Sequence, residues 1–123
     1  MGDSLCILVH RPPYGGIQAA EAVRHLNGAA TQGLEATAIL LEDGMYVARA
    51  GQDAVLLPTQ RLIDGGSLFD GVVGQGVRFL VLEDDLRLRG FGKDDLRQSA
   101  QLVTYRTAIR RMTQEGASVK GCF

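Results

Sequence analysis

The fold is decided by a stretch near the amino terminus: Leu5-Cys6-Ile7-Leu8-Val9, then His10-Arg11-Pro12-Pro13-Tyr14-Gly15-Gly16, then Ile17 through Thr31. The first five residues are apolar at every position. An extended strand of this kind must be covered on both faces, as in the interior of a parallel sheet. Two prolines and two glycines then break the run and form a turn. Beyond it, Ala19, Val23, Leu26 and Ala30 recur at spacings of four, three and four, one apolar stripe of a helix, with Gly33 placed to end it. Strand, turn and helix together predict the first half of a βαβ unit.

The pattern repeats outward from there. Apolar runs predict further strands at Glu35–Leu41, Val77–Leu82, Gln101–Tyr105 and Ala117–Phe123. Short helices are expected at Met45–Ala50, Leu86–Gly90, Asp94–Ala100 and Thr107–Glu115. Residues 52–77 contain Pro58 and several glycines, and here the expectation is two brief helices, near Thr59–Ile63 and Leu68–Val73. Strands that alternate with helices require crossovers, so the sheet should be mainly parallel. The fold class expected is α/β: one domain over residues 1–123, a three-layer sandwich with about five strands.

Composition bounds the function. The chain has 123 residues, 46% hydrophobic and 22% charged, with 13 basic and 14 acidic residues and a net charge of −1. That is globular composition, neither disordered nor fibrous. It offers no whole-chain attraction to nucleic acid or to an anionic membrane. No apolar run reaches the ~18 to 20 residues that span a bilayer. The beginning MGDSLCILVH lacks the basic region of a signal peptide. The two cysteines, Cys6 and Cys122, form no C-x-x-C and show no zinc spacing with His10 and His25. We therefore expect a reducing, cytoplasmic setting, no metal and no cofactor.

Ligands of open parallel sheets bind outside the carboxyl ends of the strands, which directs attention to three loops. In the first, Gly15 and Gly16 precede a helix start whose N–H groups can meet an anion, and Arg11 can add a charge. The same loop also works as a plain strand-to-helix turn, for it lacks the Walker and dinucleotide patterns. His10 stands at a strand end, where it can act as an acid or base or simply bond to backbone. His25 reads as a surface or packing residue of the first helix. Glu42-Asp43-Gly44 closes the second strand, and Glu83-Asp84-Asp85 follows the third. Those three acids form either a carboxylate site or a charge match for the helix that follows. Arg106, Arg110 and Arg111 make a basic patch, either a solvated helix face or a subunit contact. Cys6 should be buried packing, whereas Cys122, one residue from the end, is either packed or an exposed reactive thiol.

The segments ILVHRPPYGGIQAAEAVRHLNGAATQGLEATAILLEDGMYVARAGQ and FLVLEDDLRLRGFGKDDL resemble the DsrE/DsrF-like sulfur-relay family, whose TusB-, TusC- and TusD-type subunits assemble together. The likeness is greatest to the DsrF/TusC branch. It implies a parallel-sheet α/β domain that forms trimers or hexamers, or joins a DsrE/F/H-like hetero-complex, with a sulfur-carrier protein as a further partner. Active members carry a persulfide-accepting cysteine just after the third strand, and the matching position here is Leu82. The resemblance therefore implies an intracellular sulfur-relay subunit of non-catalytic or assisting type. Its ligand site would draw on Arg11, Tyr14, Gly15, Gly16, Asp43, Gly44, Leu82 and Glu83. The alternatives are a sulfurtransferase that uses Cys122, or a small-molecule enzyme that uses His10 and the acidic loop.

Overall fold

A computed structural model describes residues 3–12, 17–49, 55–56, 62–63, 72–114 and 117–120. Five strands form one sheet: β1 (Ser4–Val9), β2 (Glu35–Leu40), β5 (Arg78–Leu82), β6 (Gln101–Val103) and β7 (Ala117–Lys120). Their order is β6-β5-β2-β1-β7, and every pairing is parallel. The five strands fall where the apolar runs predict them. Two short strands, β3 (Val55–Leu56) and β4 (Leu62–Ile63), pair antiparallel as a separate ribbon.

Alternation along the strands divides the core into two layers. Ile7 and Val9 of β1, Ala38 and Leu40 of β2, and Phe79 and Val81 of β5 face helix α1 (Gln18–Thr31). There they meet Ala19, Ala22, Val23 and Leu26. The other face carries Ile39, Leu80 and Leu82, packed against Ala108 of helix α3 (Tyr105–Met112), with Leu8 and Met112 partly buried beside them. Apolar burial on both faces explains why β1, β2 and β5 read as continuous hydrophobic runs. The helix α1 ends as its sequence predicts. Gly33 adopts φ of 87°, and the N–H groups of Gly33 and Leu34 close back onto the carbonyls of Ala30 and Ala29.

Several boundaries differ from the sequence reading, each for a local reason. The short helix expected at Met45–Ala50 is a 3-10 helix that begins earlier, Glu42–Val47. The helix expected at Leu86–Gly90 is α2 (Glu83–Leu88), with the three acids forming its first turn. Tyr105 belongs to α3 and not to β6, because the Thr104 hydroxyl caps that helix by accepting the Thr107 N–H. The Asp94–Ala100 helix does not form. Only Lys93–Asp95 is helical, after which Leu96 bridges Arg49 and the Arg97 N–H bonds to the Ala48 carbonyl at 2.7 Å. The helix expected near Thr59–Ile63 is also overturned, since Leu62 and Ile63 are extended in β4. A five-residue helix forms too few bonds to offset its nucleation. Of the Leu68–Val73 helix, Val72 and Val73 lie in a helical turn and the rest falls outside the described residues.

Candidate functional site

The chain order explains where a site belongs. Strands β2, β5 and β6 are laid down successively on one side of β1, and β7 then returns to the other side. The order reverses between β1 and β7, so the crevice at a switch point opens beyond the carboxyl end of β1. His10 and Arg11 leave β1 at that point. Beside them stand the Glu42–Val47 turn that follows β2 and the helix α2 that follows β5.

These pieces are tied together by residues of the two acidic loops and by Arg89, which the sequence reading did not single out. Asp85 is buried, with 6% of its surface exposed, and its carboxylate accepts the Glu42 backbone N–H at 2.9 Å. Glu42 has φ of 51°, a left-handed conformation that costs energy in a residue with a side chain. The Asp85 bond thus holds a strained residue at the end of β2. Arg89 donates from Nε to Asp43 at 3.0 Å and from Nη1 to the Asp85 carbonyl at 3.1 Å. Gly44 lies so close to β1 that an added Cβ would stand 1.8 Å from the Val9 carbonyl oxygen. Only glycine fits there.

The expected site residues are only partly brought together. His10 is half-exposed, with Nδ1 4.0 Å from Oε1 of Glu42. Arg11 is exposed, with no ion pair among the described residues. Asp43 is engaged by Arg89, while Glu83 pairs with Arg87 of its own helix. Of the acidic trio only Asp85 turns inward, and the charge match to the start of α2 is realised. Leu82 is 2% exposed and points into the layer beneath α3, not into the crevice. Tyr14, Gly15, Gly16 and Cys122 lie outside the described residues. Tyr105 is exposed near this end, and the negative field of Asp85, followed by partial desolvation, Asp84 and Glu42, raises its hydroxyl pKa.

Cys6 is fully buried on the α3 side of β1. Burial raises its thiol pKa above the ordinary value, against a lowering effect from Arg111 and with a smaller raising effect from Glu35. Its Sγ lies 4.0 Å from the Arg111 carbonyl, which accepts from the thiol. Arg111 itself is no solvated patch residue. Its Nε and Nη2 donate to Thr37 Oγ1 at 3.2 and 3.0 Å, and its Nη1 donates to Gln114 at 2.7 Å. Thr37 is wholly buried and in register with Cys6 on the adjacent strand. A threonine in an alanine-and-leucine strand was the available signal, but a strand tolerates threonine for its shape alone.

No protein-family model matches the chain. It is similar to the uncharacterized protein MJ0989 of Methanocaldococcus jannaschii, 28% identical over 103 residues, which cover 84% of this chain and 86% of that protein. It is also similar to the uncharacterized protein MK0008 of Methanopyrus kandleri, 24% identical over 102 residues, 83% of this chain and 80% of that one. Among solved structures, the ychN protein of E. coli superposes with a TM-score of 0.81 at 16% identity, covering 98% of this chain and 99% of that one. The protein of unknown function MTH1491 from Methanobacterium thermoautotrophicum superposes with a TM-score of 0.62 at 20% identity, covering 98% and 100%. The likeness is one of fold, an α/β architecture with a five-stranded parallel sheet. No helix among the described residues is long and apolar enough to cross a membrane.

Proposed function

We propose that this chain is a non-catalytic or assisting subunit of a sulfur-relay assembly, of the DsrF/TusC kind, that works with a persulfide-bearing partner in the cytoplasm. The reading rests on one observation above all: Leu82 occupies the end of β5, where the family's acceptor thiol is expected, and its side chain is sealed beneath α3. A leucine has no nucleophile to activate. The one described cysteine, Cys6, is buried, and its raised pKa keeps it in the unreactive thiol form. The crevice beyond β1 remains polar, with His10, Glu42 and Asp43 at its edge, and would receive a loop of the partner. Assembly into trimers or hexamers, or into a hetero-complex, is supported by apolar side chains left exposed on the α3 side of the sheet. Tyr105 and Ile109 are 48% and 51% exposed, and Val119 of β7 is 40% exposed.

The test is incubation of native protein with a persulfide donor, read by intact mass, beside Cys6→Ser and Cys122→Ser variants. The expected result is no stable gain of sulfur on the native chain. A gain of one sulfur atom that Cys122→Ser removes would replace this reading with a sulfurtransferase acting through its terminal thiol. Light scattering at micromolar concentration tests the assembly, and a monomer that stays monomeric when mixed with DsrE-like proteins would count against it.

A further inference from the structure

On the sheet face covered by α3, a groove of about 290 Å³ runs beside the edge strand β6. Its apolar floor is Leu80 and Val103, and the side chains of Gln101, Thr107 and Gln114 offer neutral hydrogen-bonding groups around it. Arg78, Arg110 and Arg111 complete the lining, so three of its eight residues are arginines and none is acidic. Arg110 and Arg111 suit the last turn of α3, where cations meet the negative end of the helix. That reason does not extend to Arg78, which comes from a different element and opens the otherwise apolar strand Arg78-Phe-Leu-Val-Leu82.

Arg78 and Arg110 are exposed, and neither has an acidic partner among the described residues. Arg111 is held in place by Thr37 and Gln114. Glu35 pairs with Arg111 at 3.7 Å and opens on an adjoining cavity, which Arg78 and Arg111 also line, so among the described residues the charges without an acidic partner in the groove are those of Arg78 and Arg110. Arg78 and Arg110 thus bring positive charge to one groove with no acidic partner of their own among the described residues, and a bound oxyanion would supply one while accepting their N–H groups in pairs.

We propose that this groove binds a small organic anion. Its phosphate, sulfonate or carboxylate group would sit between Arg78 and Arg110, beside the fixed Arg111, with an apolar body on Leu80 and Val103. The volume admits a small molecule only. The site is set at the starts of β5 and β6, away from the carboxyl-end crevice, and does not depend on the relay reading.

Titration calorimetry of the full chain with phenyl phosphate, inorganic phosphate, benzoate and phenol tests it, with Arg78→Gln, Arg110→Gln and the double variant in parallel. Both positions are exposed, and circular dichroism confirms that the variants fold. Phenyl phosphate should bind, inorganic phosphate more weakly, and phenol not measurably. Each single variant should lose about tenfold in affinity, as for a charge-assisted bond, and the double variant should lose binding. Absence of binding by every anion, binding undiminished in the double variant, or phenol matching phenyl phosphate would each overturn the proposal. Inorganic phosphate binding as tightly as phenyl phosphate would overturn the assigned apolar subsite.

Discussion

The Asp85 carboxylate accepts the backbone N–H of Glu42 across 43 positions of chain, at 2.9 Å, and so fastens the turn after β2 to the helix after β5. Both partners sit where the strands end, one buried and the other in a left-handed conformation. Asp85→Ala should cost about 2 kcal/mol in chemical denaturation, because a partly buried N–H loses a charged acceptor. Asp85→Asn keeps an acceptor oxygen and should cost about half as much. Equal losses in the two variants would mean that packing, and not this bond, is what Asp85 supplies.

Gly44 gives a harsher test of the same corner. A methyl group there meets the Val9 carbonyl oxygen at 1.8 Å and its carbon at 2.5 Å, and that carbonyl is already fixed by the Leu41 N–H. Backbone cannot step aside as a flexible side chain would. Gly44→Ala should destabilise by about 3 kcal/mol or more, at the upper end for overpacking. Gly28, with open space around its added Cβ and a place inside α1, should gain about 0.5–1 kcal/mol on mutation to alanine. Thermal melts of the two variants should therefore move in opposite directions.

Arg111 fastens α3 to the sheet through Thr37. Arg111→Ala leaves a buried hydroxyl without its donor and should cost about 2–3 kcal/mol. Arg111→Lys should recover little of it, since an ammonium group cannot place two N–H groups on one oxygen as the guanidinium does. Thr37→Val should cost less, because Arg111 keeps Gln114 and some solvent. A double-mutant cycle on the pair should show a coupling of about 1 kcal/mol, and additive losses would dissolve the claimed link.

Most of the architecture was legible because hydrophobic period is a strong signal. Five apolar runs became five parallel strands, and the α1 stripe of Ala19, Val23 and Leu26 became its buried face. Ends of elements were less legible, since they are set by single polar contacts. Thr104 starts α3 two residues before its apolar pattern shows, and the Arg49–Leu96 bridge stops a helix that Asp94–Ala100 would permit locally. The site was legible as a place, the strand ends, but not as a set of partners. Nothing local distinguishes Asp85 from Asp84, and only the neighbouring turn, 43 positions away, determines which acid points inward.

Cys6 should leave a signature in the pH dependence of stability. Its folded pKa is raised, chiefly by burial. In the unfolded chain the thiol loses its proton near ~8.5. Above that pH the unfolded state binds fewer protons than the folded one, so stability falls as pH rises, up to the folded pKa; below it Cys6 contributes no slope. Denaturant titrations should show the native protein losing stability above pH ~8.5, with the slope reduced in Cys6→Ala. Identical alkaline slopes in the two proteins would refute the assignment. Native Cys6 should also resist thiol reagents that modify it at once in denaturant.

The last expectation concerns what a cysteine at position 82 would do. If loss of the thiol were all that separates this chain from a sulfur acceptor, Leu82→Cys would restore one. The geometry argues otherwise. Leu82 is the last residue of β5 and its side chain lies with Ile39, Leu80 and Ala108 under α3. A thiol there would face apolar neighbours, which raise its pKa and exclude the donor. The helix that follows has six residues and begins with three acids, a field that further disfavours a thiolate. Leu82→Cys should fold, with a loss of about 1–3 kcal/mol for the smaller side chain. In a background of Cys6→Ser and Cys122→Ser it should take up no sulfur from a persulfide donor by intact mass. Trimming the cover with Met112→Ala should then raise the reactivity of the new thiol, since Met112 packs against the same cluster. Rapid, stoichiometric uptake by Leu82→Cys without that second change would show that the β5 end opens readily, and that this chain lacks only the sulfur atom to act as an acceptor.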